Sequence, residues 1–449
     1  MRRVFSDRGR LQGMLDFEAA LARAEARAGV IPTTAAESIA SQCRAELFDI
    51  PVLSEASAVA GNSAIPVINE LTKLVSSVNS EAANYVHWGA TSQDAMDTGL
   101  VLQIREGLNL IEADARKLCA ALEKLAVEHK RTPIAGRTWL QQAAPTTFGL
   151  KVAGWLSSVA SHVETLCALR KRVLTIQFGG ATGTCAALGE HADQTAAFLA
   201  EELKLWPSGV PWHAQRERLA EAASALGVLV GSLGKMARDI SLMTQSEVAE
   251  VAEPSAPGRG GSSSMPQKRN PVGCATVLAN AMRVPALVSV ILSAMPQEHE
   301  RGLGGWQAEW DTLPEIFLLA SGALTQMLHV MRGLKVDTRR MLTNLDATNG
   351  LIYAESLSTA LGRKIGRATA HKLVETVCRR AEEQKWSLFE AACADPEITR
   401  QLSPAELKEL FTPGHHVRAA ARLVDKAIAA ARDKLAACTK EESACPSRK

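Results

Sequence analysis

Three consecutive hydroxyls, Ser262, Ser263 and Ser264, stand just ahead of a cation, Lys268, and an amide, Asn270, in the stretch Gly261-Ser-Ser-Ser-Met-Pro-Gln-Lys-Arg-Asn-Pro271. Together they could grip an anion and supply a nucleophile or a base. Pro254-Ser-Ala-Pro-Gly-Arg-Gly-Gly261 precedes them, so Gly, Pro and Ser dominate this part of the chain. Such a composition cannot continue a helix, because Pro lacks the N–H and Gly gains too much freedom outside one. A long polar loop between helical stretches is more often functional than a spacer; composition alone also leaves open a solubilising linker. Two further stretches bring polar types close together. In His87-Trp-Gly-Ala-Thr-Ser-Gln-Asp94, followed by Asp97-Thr98, the hydroxyls of Thr91 and Ser92 sit where a long helix begins. With the first-turn N–H groups they would hold a carboxylate. Gly136-Arg-Thr-Trp-Leu-Gln-Gln-Ala-Ala-Pro145 offers Arg137, Thr138, Trp139 and Gln141.

The frame that must position these residues is helical. Ser6 or Asp7 caps a first helix that runs to about Gly29, and Pro32 with the capping box Thr34-Ala-Ala-Glu37 starts a second. From Asp94 to Lys130 there is no proline, and Leu100, Ile104, Leu108, Ile111, Leu118, Leu122 and Leu125 recur at helical spacing. At 1.5 Å per residue that segment is roughly 55 Å long. Comparable stretches follow at 146–173, 214–251, 271–294 and 309–333. Helices of this length cannot bury their faces in a compact monomer, so they call for an elongated bundle shared between subunits. After Asn349-Gly350 the helices shorten, and the end from Cys438 to Lys449 is polar and expected to fray. The expectation is an all-α chain: an N-terminal helical domain (1–93), a central long-helix bundle (94–345) and a small C-terminal helical domain (346–449).

The bulk numbers exclude more than they assert. At 449 residues, 47% apolar and 22% charged, the chain suits a soluble multidomain protein. A formal charge of +2 gives no electrostatic reason to expect nucleic acid or an anionic membrane. No uninterrupted apolar run approaches the ~18–20 residues that span a bilayer. The N-terminus lacks a secretory apolar region, and a cytoplasmic location is expected. Nine cysteines lie far apart with no CxxC, so reduced thiols are expected rather than a zinc site or a disulfide framework. HExxH, P-loop and GxGxxG motifs are absent, and Phe178-Gly-Gly-Ala-Thr-Gly-Thr184 has the wrong spacing for a dinucleotide fold. No metal and no organic cofactor are expected.

The loop at 261–271 resembles the GSSxMPxKxNP signature of the fumarase/aspartase superfamily at every fixed position. The stretch from His87 to Thr98 is similar to that family's TSxDxxxT region, and 136–145 to its GxTxxQxAxP region, in the same order along the chain. The resemblance implies a three-domain helical fold and a homotetramer in which three segments, each from a different subunit, meet in one site. It implies addition or elimination across a carbon–carbon bond beside a carboxylate, with Ser263 at the catalytic-base position and Lys268 and Asn270 gripping the activating carboxylate. Ser262 and Ser264 are then structural, and Gln141 takes the place of the substrate-contacting amide. Relatives commonly carry a further segment ahead of the position of Met1.

The departures narrow this. Most members place His after the Thr of the second region, paired with a Glu beyond the Lys-Asn-Pro run. Here those positions are Trp139 and Ala275. An amine or hydroxide needs an acid to protonate it as it leaves, whereas a carboxylate, with a pKa near about 4, departs as the anion. The resemblance is therefore to the branch of bacterial 3-carboxy-cis,cis-muconate cycloisomerases, which Phe5–Leu15, Ala60–Pro66, Pro211–Arg218 and Met295–Arg301 also resemble. A small tricarboxylate substrate, closed to a lactone in the protocatechuate branch of aromatic degradation, is the implied partner. Arg301 and Lys268 are the leading cations to bind it, with Arg137 and Arg218 behind them. His87 orients substrate, shuttles a proton, or is simply a packed histidine. Glu309 reads as structural. The alternatives are an adenylosuccinate lyase-like C–N lyase and a non-catalytic helical scaffold.

Overall fold

The computed structural model describes residues 1–443, and the side chains of residues 1–438; Cys445 and the last residues of the expected frayed end lie outside that range. Four helices open the chain: α1 (Asp7–Arg27), α2 (Thr33–Gln42), α3 (Ile50–Ala60) and α4 (Ala64–Val78). Ser6 caps α1 through a hydrogen bond from Gly9 N. The capping box expected at Thr34 is not formed. Pro32, fixed near φ −63° in an extended conformation, takes the N-cap position, so Thr34 already lies inside α2.

The centre is built from α5 (Ser92–Glu128), α6 (Phe148–Val173), α7 (Ala192–Leu203), α8 (Glu217–Met243), α9 (Val272–Ser293) and α10 (Gly305–Gly333). The five long members are those the apolar spacing predicts, within about four residues at each end except that α8 stops at Met243, well short of the expected 251. α5 packs on α6 and α10, α8 on α9, and α9 on α10, around one continuous apolar core. α1 lies along α5 at very short range. A Cβ on Gly13 would stand 2.8 Å from Gly99 O, so only paired glycines allow this approach.

Two small antiparallel ladders interrupt the helices. β1 (Pro133–Thr138) and β2 (Gln141–Thr147) form a hairpin between α5 and α6, and β3 (Val251–Ala252) pairs with β4 (Lys335–Val336). Beyond them come α11 (Thr338–Asp346), α12 (Ala354–Ile365), α13 (Arg367–Gln384), α14 (Leu388–Cys393), α15 (Pro396–Gln401), α16 (Pro404–Leu410) and α17 (Gly414–Ser443). Helices α12 to α16 enclose a core of their own. α17 is long, returns to the central bundle and packs along α6. Its inward stripe, Ala420, Val424, Ile428, Ala431 and Cys438, is rich in alanine, and this low contrast hides the helix from an apolar-spacing argument.

Two expectations are sharpened by the structure. Helices α8, α9 and α10 are each long and apolar enough to cross a membrane by length and composition, although no uninterrupted apolar run is that long, because a helix tolerates a few charges. In α8 and α10 about half of that stretch is buried in the bundle, but in α9 only 22% is. The sulfurs of Cys167 on α6 and Cys438 on α17 also lie against each other, with Cα atoms 5.9 Å apart, the spacing a disulfide bridges. Their separation of 271 residues carries no signature; the docking of α17 on α6 creates the pair. Beside it the buried Glu112 accepts hydrogen bonds from Arg116 Nε at 2.8 Å and Arg170 Nη2 at 3.0 Å.

A disulfide between Cys167 and Cys438 would typically be worth about 2–4 kcal/mol. Against the unfolding entropy of a chain this long that is roughly 2–4 °C. Differential scanning calorimetry with and without a thiol reductant should therefore show a fall of this size in wild type and none in Cys438→Ser.

Candidate active site

The polar centre begins at the start of α5. Asp94 and Asp97 lie one turn apart on the helix and are both buried. Asp94 accepts four hydrogen bonds: from Thr91 N at 3.0 Å, Gly180 N at 2.9 Å, Gln177 Nε2 at 3.1 Å, and the ring of His213 at 2.7 Å. One carboxylate thus ties the first turn of α5 to the 178–184 loop and to the segment before α8. Gly180 is required there, since its φ is +69° and a Cβ would stand 2.8 Å from Gly89 O.

Asp97 faces a cation instead. Arg216 donates Nη1 to Asp97 Oδ2 at 2.6 Å and Nη2 to Oδ1 at 3.0 Å, and its Nε lies 3.0 Å from Glu309 Oε1. All three residues are fully buried. Burial works against the guanidinium charge, but the two carboxylates outweigh it and hold Arg216 firmly charged. Trp306 Nε1 and Gln93 Nε2 complete the shell around Asp97. Two acids three apart on α5 are therefore met by His213 and Arg216, three apart before α8. Sequence reasoning missed this matched spacing, which was the available signal, and gave the weight to Arg218. Glu309 is the structural acid expected.

Above this base, Arg301 reaches over the helix start. Its Nη1 donates to Thr91 Oγ1 at 3.1 Å and its Nη2 to Ala181 O at 3.1 Å. Thr91, Ser92 and Arg301 are brought together at the positive end of a 37-residue helix, a ready site for a carboxylate. His87 stands at the approach to that helix with its Nδ1 2.6 Å from Glu18 Oε1.

The other candidates lie elsewhere in the chain. Thr138, Trp139 and Gln141 occupy the exposed tip of the β1–β2 hairpin, where Trp139 is 98% exposed. Both turn residues, Trp139 (φ +52°) and Leu140 (φ +64°), hold the left-handed backbone that a two-residue turn of this kind demands and that usually selects Asn-Gly. Arg137, at the hairpin's bulge, is already engaged bidentately by the buried Glu250, at 2.9 and 2.7 Å. Arg218 stacks over Trp212 at 5.0 Å and pairs with Glu217.

The 261–271 loop has an anchored foot and an open apex. Glu253 caps α9 by accepting from Gly273 N and Cys274 N, and Asn270 N donates to Gly260 O at 2.8 Å. A cavity of about 590 Å³ at the foot is lined by Glu253, Arg259, Arg269, Asn270 and Lys335. Ser262 Oγ accepts from Met265 N, a structural role within the turn. Ser263 and Lys268 are exposed. Among the described residues, no hydrogen bond links this loop to the Arg301 corner or to the hairpin tip.

A family model described as lyase matches residues 1–286, and one described as adenylosuccinate lyase C-terminus matches 350–427. The chain belongs to the fumarase/aspartase superfamily. A Pseudomonas aeruginosa member named 3-carboxy-cis,cis-muconate cycloisomerase is 55% identical over 429 residues, 96% of this chain and 94% of that one. A Pseudomonas putida protein of the same name is 54% identical over 91% of this chain and 96% of its own length. The crystal structure of 3-carboxy-cis,cis-muconate lactonizing enzyme from Pseudomonas putida superposes with a TM-score of 0.92 at 51% identity, covering 97% of each chain. Fold and family thus agree with the all-α, three-domain expectation for this superfamily.

Removing the central cation should be far more damaging than removing its neighbour. Arg216→Met strands two buried carboxylates and should cost about 3–5 kcal/mol. Arg218→Met should cost under about 1 kcal/mol. Parallel thermal melts of the two variants check the contrast.

Proposed function

We propose that this chain is a cycloisomerase that converts 3-carboxy-cis,cis-muconate to 4-carboxymuconolactone. The observation that carries this is the corner where Arg301 meets Thr91 at 3.1 Å over the start of α5, a preorganised set of donors for a carboxylate. The substrate brings three carboxylates. One adds to the carbon β to another and closes the lactone ring. Its electron pair pushes the alkene electrons into the neighbouring carboxylate, which becomes an aci-carboxylate dianion, and a proton delivered to the α carbon completes an isomerisation in which no atom is lost. Donors already fixed in place stabilise that added charge more than they stabilise the ground state. Arg301, Thr91, Ser92 and the first-turn N–H groups of α5 hold one carboxylate end. Lys268 and Asn270 hold another, and Ser263 delivers the proton, or takes it in reverse, once the loop closes and expels water.

The hairpin tip supports the choice of reaction. It carries an indole, whose N–H is far too weak an acid to protonate a leaving amine, and a carboxylate that leaves as an anion needs no acid. The match of residues 350–427 to the adenylosuccinate lyase C-terminus favours a C–N lyase as the second reading; Trp139 stands against it.

The site is assembled between subunits of a homotetramer. Support comes from the fully exposed Trp139 on a strained tip, from the apolar face of α9 left largely uncovered in one chain, and from the separation of the three motif regions. The same reading places the enzyme in the cytoplasm, in the protocatechuate branch of aromatic degradation, acting without metal or organic cofactor.

Purified protein should bleach the diene absorbance of 3-carboxy-cis,cis-muconate while releasing no fumarate from adenylosuccinate. Ser263→Ala should lower kcat by about 10²–10⁴. Mixing inactive Ser263→Ala with inactive Arg301→Met, then exchanging subunits, should restore part of the activity. Failure to restore any would mean each chain carries a complete site.

A further inference from the structure

His87 is held from behind by a residue that belongs to no motif. Glu18, in the middle of α1, is 1% exposed, and its Oε1 lies 2.6 Å from His87 Nδ1. Among the described residues that is its one side-chain hydrogen bond, since Oε2 is buried without a partner there. The close approach of α1 to α5 at Gly13 and Gly99 brings the carboxylate this near. The backbone of His87 sits at φ +58°, an uncommon conformation for a residue with a side chain. A ring fixed through Nδ1 has one remaining polar atom, Nε2, on its opposite edge.

We propose that Glu18 is the positioning residue for His87: it holds the imidazole by Nδ1 so that Nε2–H is presented as a cationic donor to a substrate carboxylate beside the Thr91–Arg301 corner. The proposal rests on that corner being the carboxylate-binding end of the site. It turns His87 from a general proton shuttle into a charged anchor, and it gives a function to a buried acid that no motif contains.

The surrounding charges agree. Burial alone favours the neutral ring, but Glu18, by charge and hydrogen bond, and Asp94 from α5 outweigh it, so the imidazolium persists above its ordinary range. Glu25, two turns further along α1, is also buried with neither oxygen partnered. Burial and then the charge of Glu18 push it up to about 9, so it is neutral at pH 7 and adds no competing anion. The direction of the pH effect follows. A cation with a raised pKa is present below that pKa and is lost as pH rises through it, so substrate binding weakens on the alkaline side.

Glu18→Gln keeps the shape and an acceptor oxygen but removes the charge. The alkaline limb of kcat/KM should move down by about one pH unit, with about tenfold loss at pH 8 and little at pH 6. The loss should appear in KM rather than kcat, and should vanish in a His87→Gln background. A purely structural role would lower the melting temperature and leave the limb where it was, which would overturn the proposal. Should Glu18→Gln fail to fold, a second measurement uses unaltered protein. The rate at which diethyl pyrocarbonate labels His87, read by peptide mass spectrometry against pH, should reach its midpoint clearly above about 6.5. A midpoint at or below that value defeats the idea. This labelling needs no turnover, so it still decides on Glu18 if the tricarboxylate is not a substrate; inactivity of wild type would count against the proposed function alone.

Discussion

Two carboxylates buried one turn apart at the start of a helix are the constraint around which this molecule is arranged. A carboxylate taken out of water survives only if nearly all its lone pairs find donors or a cation stands beside it. Asp94 meets the demand with two backbone N–H groups, an amide and a histidine, and Asp97 with a bidentate guanidinium, an indole and an amide. The donors come from segments far apart in sequence: the 177–180 loop, the 213–216 turn and the start of α10. Satisfying two acids therefore fixes where three connections run. Thr91 takes its place from that foundation through its N–H on Asp94, and its hydroxyl in turn receives the guanidinium of Arg301.

Much of this was legible in the residues. The apolar spacing of α5 and its partners gave the long bundle, because a stripe of Leu and Ile against polar faces is a high-contrast signal. The loop at 261–271 announced itself by composition, and Thr91, Ser92 and Arg301 do meet. Where contrast was low, the reading missed. α17 hides its stripe among alanines. The Asp94–His213 and Asp97–Arg216 pairs join residues more than a hundred positions apart. Arg137 carries a binding residue's charge but spends it on Glu250, a buried acid nothing in the local sequence marks. Glu18 sits in an ordinary run of alanine and glutamate on a helix, indistinguishable from a solvated acid until α1 is laid against α5.

The hairpin shows a different economy. Trp139 and Leu140 occupy left-handed backbone positions at a cost of order 1–3 kcal/mol each. A free surface turn has no reason to keep a tryptophan there. The strain becomes intelligible under the proposed tetramer, in which a neighbouring chain would cover the tip with apolar contact.

A bond between Cys167 and Cys438 would change what kind of object the polypeptide is. With those two positions joined, the chain is a closed ring of some 270 residues bearing one long tail and one short one. The 261–271 loop lies on the ring, and so do helices α12 to α16. The hairpin and the start of α5 lie on the long tail. A protease that nicked the exposed loop apex would open the ring without releasing either piece, and the two halves would migrate as a single species until a reductant parted them.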